Sequence, residues 1–320
     1  MEQGPARERD FRHWSGVGFS RYNHWDKKYL SRVFRIKLRA SSKETHRAMK
    51  LTAKIPVLIA LAALLGASTG CNQLKSRDQI NKGVAAFKNA QYEEAVSHFQ
   101  TAVALDPKSA NAKLYLATSY SYQVVPNLKT PENLAVAQKA LDGFNEVLAK
   151  NANDLTALKQ VATIYRNIGK LDLSKQYEQR VVDLSPNDSE AFYTIGTLDW
   201  MTEHYNNTVP ILAADGLTDN GEGNVKMTKG ACAKIQVANK ALVDDAIKSL
   251  SRAVELNPTY DDAMQYLQLS YRSKANVDCG NEAARRVDMT SADEWVQKAI
   301  GARKVNEQKK EAKVGGGVTM

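Results

Sequence analysis

Cysteine, histidine and long apolar runs are all scarce in this chain of 320 residues. The three cysteines, Cys71, Cys232 and Cys279, carry no zinc-ligand spacing. Of five histidines, His13, His24 and His46 lie in the first 48 residues, which leaves His98 and His204. Two such distant imidazoles suggest neither a metal cage nor a nucleophile with its base and orienter. Neither a phosphate-binding loop nor a nucleophile elbow occurs. The stretch DGLTDNGEGN (215–224) has acids, Asn and Gly, but it lacks the alternating oxygen ligands and terminal Glu of a calcium loop. A non-catalytic protein is therefore expected, with no catalytic residues, no cofactor and no metal.

Excess charge is also missing from most of the chain. The net charge of +9 lies entirely in residues 1–70, where fourteen Lys or Arg face five Asp or Glu. Residues 71–320 carry thirty of each sign. Nucleic-acid binding needs a basic footprint, and this neutral part has none, so no nucleic-acid partner is expected.

The apolar run Ile55–Ala67 holds thirteen residues without a charge. That is short of the ~20 a spanning helix requires, but it suits the core of a secretory signal. Lys50 and Lys54 provide the positive start, and Ser68, Thr69 and Gly70 the small-residue cleavage zone before Cys71. STGC resembles a bacterial lipobox, which implies lipidation of Cys71 and a membrane-anchored lipoprotein facing the periplasm. Ser68 stands where that pattern usually has Leu, which leaves open ordinary cleavage and a soluble periplasmic product. Residues 49–70 are thus read as a signal peptide. Residues 1–48 show no apolar periodicity and are expected to be a disordered extension upstream of the true start at Met49, the alternative being a cytoplasmic tail on a signal anchor.

Beyond the leader the chain repeats itself. YEEAVSHFQTAVALDPKSA (92–110), LSKQYEQRVVDLSPNDSEA (173–191) and VDDAIKSLSRAVELNPTYDDA (243–263) share small or apolar residues at helical spacing and a stop at D-P, S-P or N-P. Proline biases Asp106, Ser185 and Asn257 away from helix. The pattern resembles the tetratricopeptide repeat (TPR), a 34-residue helix–turn–helix unit. In the first repeat Gly83, Ala95, Phe99, Ala102 and Pro107 occupy the family's signature positions, and in the third Val161, Ala162, Tyr165, Gly169 and Pro186 do so. The family's early Trp is absent, and Ser174 replaces a small Ala. The resemblance implies an all-α TPR helix–turn–helix solenoid over residues 71–303. Its five repeats are 76–109, 110–154, 155–188, 189–260 and 261–306, followed by a charged, Gly-rich tail, 304–320.

Repeats two, four and five carry insertions in the turn between their first (A) and second (B) helices. The excess is 11, 38 and about a dozen residues. Such turns share one edge of a solenoid, so the insertions are either tolerated length or a binding edge. Cys232 and Cys279 fall in two adjacent insertions, and in an oxidising compartment a disulfide between them is expected, two separate buried thiols being the alternative.

TPR arrays generally bind peptides or protein segments in the groove lined by helix A. Carried over position by position, the resemblance assigns a partner-binding groove to Tyr122, Lys159, Arg166, Asn167, Tyr193, Thr197, Trp200 and Arg272. Each alone is also compatible with a solvated helix face, and Trp200 with packing under the largest insertion. The expected function is a scaffold or adaptor that mediates protein–protein interaction in the bacterial cell envelope. The alternative is a soluble periplasmic module for a small ligand, with residues 202–239 as a lid.

Overall fold

The computed structural model describes residues 54–223 and 226–315, of which 54–70 and 313–315 are described by backbone alone. The proposed extension 1–48, the first residues of the leader and residues 316–320 lie outside the described residues. The chain divides into two units, residues 1–63 and 64–320, and the second contains the repeats.

Every regular element among the described residues is helical, and the helices pair as antiparallel hairpins. The first hairpin is α1 (Lys54–Lys88) with α2 (Tyr92–Leu105), the second α3 (Ala110–Gln123) with α4 (Pro131–Lys150), and the third α5 (Leu155–Asn167) with α6 (Leu171–Leu184). The fourth begins with α7 (Ser189–Met201), continues through a π-helical turn (Thr202–Thr208) and α8 (Val209–Ala214), and returns in α9 (Lys229–Leu256). Helices α10 (Asp261–Val277) and α11 (Glu282–Gly315) form the fifth.

Local chemistry sets these boundaries. Helices α2, α6 and α9 stop at Asp106, Ser185 and Asn257, the residues that precede proline. New helices start where a side-chain oxygen caps the first amides: Ser109, Thr130, Asp154, Asp188 and Thr228 accept from the backbone two or three residues on. Thr130 with Pro131 starts α4 where its turn chemistry requires.

Packing rests on small residues at helix crossings. Ala95, Ala102, Ala140, Ala157, Ala162, Ala191, Ala246 and Ala253 are fully buried. Ser174 fits the same role because its hydroxyl donates to the carbonyl of Ala162 at 2.8 Å, so the hydroxyl in place of a methyl is not left unpaired. Large side chains, among them Phe99, Phe144, Leu158 and Ile164, fill the space beside these contacts.

The insertions are mostly lengthened helix rather than loop. In the fifth repeat, α10 and α11 each extend until only Asp278–Asn281 separates them. In the fourth, Leu212, Ile235 and Val243 bury a small core together with Val277 of α10. Glu203, Thr208 and Asn239 form a buried hydrogen-bonded set, and Cys232 is joined to Cys279 by a disulfide. That crosslink closes a span of 47 residues, worth on the order of 4 kcal/mol in the chain-entropy model. The described part of residues 202–239 is thus fastened at several points, against the alternative reading of that segment as a lid. The segment 304–315 is likewise not a separate tail. It continues α11, and Asn306 donates to the Thr259 carbonyl and the Asp261 carboxylate at 2.8 and 3.0 Å.

A Cβ added at Gly196 would lie 2.5 Å from Leu250 Cγ and 3.0 Å from the Ala246 carbonyl, where α7 crosses α9. We expect Gly196→Ala to lower unfolding stability by about 1–3 kcal/mol, read from urea midpoints. An unchanged midpoint would show that this crossing is loose.

Candidate partner-binding groove

Two A helices, α7 and α10, present an array of rings. Tyr193 and Trp200 stand seven residues apart, hence on one face of α7. Tyr266 of α10 meets both edge-on, with centroids 5.8 Å from Tyr193 and 5.3 Å from Trp200. Tyr260, just before α10, lies 4.9 Å from Tyr193. At the other end the π-helical turn adds His204, stacked on Trp200 at 5.0 Å and 8°, and Tyr205, 5.8 Å from Trp200. Tyr205 is 57% exposed, whereas the other rings are half-buried, so the array offers faces and edges rather than whole side chains.

Its electrostatics come from the neighbouring hairpin. Burial raises the pKa of Tyr193, Tyr266 and Glu178, and the charge of Arg166 on α5 opposes the rise in each. Among the described residues its guanidinium makes no hydrogen bond or ion pair. Burial pushes the Tyr193 phenol up to about 12, with Tyr266 and Asp262 adding to the shift, and it pushes Tyr260 up as well. These phenols are neutral hydrogen-bond donors at physiological pH.

Other residues assigned to the groove are already engaged. Lys159 Nζ pairs with Asp188 at 2.6 Å and Glu190 at 3.3 Å. Burial lowers its pKa, but the two acids outweigh that and leave it raised. Thr197 is buried and donates to the Tyr193 carbonyl at 2.8 Å, so it is not presented to a partner. Asn167 is tied through its main chain, whose carbonyl accepts from the Asn127 amide at 2.8 Å, while its side chain is half-buried. Arg272 donates to the Gly221 carbonyl at 2.7 Å and to Gln268 at 3.0 Å, and it thereby clamps the fourth repeat's insertion. The Tyr122 ring packs on Phe87 and Tyr92 at 4.9 and 5.4 Å, near the first hairpin's turn and away from the array. Of the residues assigned to the groove, Tyr122 is exposed and Arg166, Asn167, Tyr193 and Trp200 are half-buried, and Tyr205, Tyr260 and Tyr266 lie beside Tyr193 and Trp200.

Beneath these helices lie acids that repeat reading passed over. Glu178 stands where the first repeat has Phe99, and it is 4% exposed, with one carboxyl oxygen unpartnered. Burial pushes its pKa up to about 7, against the pull of Lys159 and Arg166. Asp199 takes the place of the third repeat's Tyr165. Burial moves it up to about 6, opposed by Lys175 at 2.6 Å. An acid at a position that other repeats keep apolar was the available signal. Among the described residues no three His, Cys, Asp or Glu gather as metal ligands.

Residues 79–109 match the family model of the tetratricopeptide repeat. No curated protein matches the chain. Among solved structures it is similar to MamA of Desulfovibrio magneticus RS-1, at 17% identity over 72% of this chain and 96% of that one, with a TM-score of 0.47. It is also similar to another MamA protein (12%, 73% and 94%, 0.46). A third is YrrB, described as a TPR protein with an unusual peptide-binding site (18%, 71% and 90%, 0.42). Residues 79–109 thus form one tetratricopeptide repeat at the start of an all-helical array.

Glu178 binds its proton more tightly folded than unfolded. The stability it confers is therefore complete below about 4.5 and is lost as pH rises through about 7. We expect Glu178→Gln to match the parent at pH 5 and to exceed it at pH 8 by on the order of 1–3 kcal/mol, followed by calorimetry. Parallel pH profiles for the two proteins would place the ionised carboxylate in a solvated setting instead.

Proposed function

We propose that this protein is a non-catalytic scaffold that holds a protein partner's segment across the rings of α7 and α10. The observation that carries this reading is the continuous array Tyr260–Tyr193–Tyr266–Trp200–Tyr205, with the charge of Arg166 acting on Tyr193 and Tyr266. Aromatic residues and arginine are the side chains most often responsible for interface affinity, because they bury much area at low entropic cost. Neutral phenols at the ring edges can donate to the backbone carbonyls of an extended segment. The partner is a protein rather than a nucleic acid, because residues 71–320 balance thirty charges of each sign.

The leader sequence supports export into a bacterial envelope, with the mature chain starting at Cys71 and anchored there by lipid. Cys71 is an exposed free cysteine within α1. Among the described residues no helix is long and apolar enough to cross a membrane, so a lipid on Cys71 would supply the attachment.

Two measurements test this reading. Intact mass of the chain from its native membrane fraction should show acyl groups on an N-terminal Cys71, and an unblocked or longer N-terminus would refute the anchor. Affinity purification with Trp200→Ala and Tyr266→Ala should recover the partner at about a tenth of the parent's yield or less, with unchanged circular dichroism. Equal recovery would remove the ring array from the interface.

A further inference from the structure

A second surface lies at the A–B turns of the first and second hairpins. The turn after α1 and the inserted segment before α4 enclose an open cleft of about 740 Å³. Its apolar wall includes Tyr92, Leu128 and Val136, and the ring of Tyr92 is backed by Phe87 and Tyr122. Its charged lining residues are Glu93, Glu94 and Glu132, and no Lys or Arg lines it.

Acids in a helix's first turn are ordinary, because the amide dipoles there favour negative charge. What distinguishes this edge is that two helix starts, α2 and α4, turn such acids onto one shared apolar cleft. Glu94 lies 3.8 Å from His98, while Glu93 and Glu132 have no ion-pair partner among the described residues. Lys129, in the inserted segment, instead runs toward Gly169 of the next hairpin. The cleft is also held in shape. Buried Asn133 accepts from the Val125 amide at 2.8 Å and donates to the carbonyls of Val125 and Leu128 at 2.9 and 2.7 Å. The Asn127 amide is tied to the Asn167 carbonyl. A fixed loop spends little entropy when a ligand arrives.

We propose that this edge cleft is a docking site for a basic peptide segment of a protein partner. A Lys or Arg side chain of that segment pairs with Glu93 and Glu132, and an adjoining apolar side chain rests on Tyr92, Leu128 and Val136. Charge complementarity selects the cation, and the apolar wall selects a peptide over a simple polyamine. The site is distinct from the ring array on α7 and α10 and does not depend on it.

The test uses the full chain and a fluorescein-labelled hexapeptide of Lys, Leu and Phe, with its Glu-for-Lys counterpart as control. Anisotropy should show binding of the basic peptide only, weakening as salt rises. E93Q/E132Q should weaken binding about tenfold, and Leu128→Ala about threefold, both with unchanged circular dichroism. Trp200→Ala should leave binding unchanged, whatever it does to a groove partner. Equal binding to the double variant would overturn the proposal. So would displacement by spermidine at the peptide's own concentration, or loss of binding in Trp200→Ala.

Discussion

Close approach of helix backbones is the constraint on which this structure depends. Gly83 leaves room for Phe99, Gly143 for Ala117, and Gly196 for Leu250, and at each place even one methyl group would meet an atom within 2.6 Å. Fully buried alanines extend the same seam through later hairpins. Such crossings bring neighbouring A helices near enough for their side chains to touch. The ring array exists because α7 and α10 lie that close: Tyr193, Trp200 and Tyr266 come from two repeats and meet only across the seam.

Tight packing also explains how the insertions are accommodated. A long loop would have exposed backbone with little to bury. Instead the fourth repeat coils its extra residues into a π-helical turn, a short helix and an early start of α9, with Leu212 and Ile235 fully buried. The disulfide and the clamp of Arg272 on Gly221 join that extension to the fifth repeat. The second repeat uses Asn133 for the same end. One edge of the array thereby becomes a set of built surfaces.

Buried acids run against this economy. Glu178 and Asp199 occupy places where other repeats have aromatic rings, and each leaves a carboxyl oxygen unpartnered. Their compensating cations, Lys159 and Arg166 for Glu178 and Lys175 for Asp199, all belong to the third hairpin. A fold selected for stability alone would replace both with apolar residues of similar volume.

The sequence by itself determined the helical hairpins, because 3.6-residue periodicity, caps and prolines act within a few residues of each other. Asp106, Ser185 and Asn257 end helices for that local reason, and Thr130 starts one. The repeat period also placed Arg166, Tyr193 and Trp200 on the A helices of the third and fourth repeats, where each is half-buried. The tertiary structure alone decided the rest. Thr197 and Arg272 share the groove spacing, yet one is buried and the other is spent on a loop that comes from fifty-one residues away. Tyr266 joins the rings, and Tyr92 the edge cleft, because partners distant in sequence face them. Burial and contact are properties of neighbours, and repeat periodicity encodes a residue's own helix face but not what the next hairpin places against it.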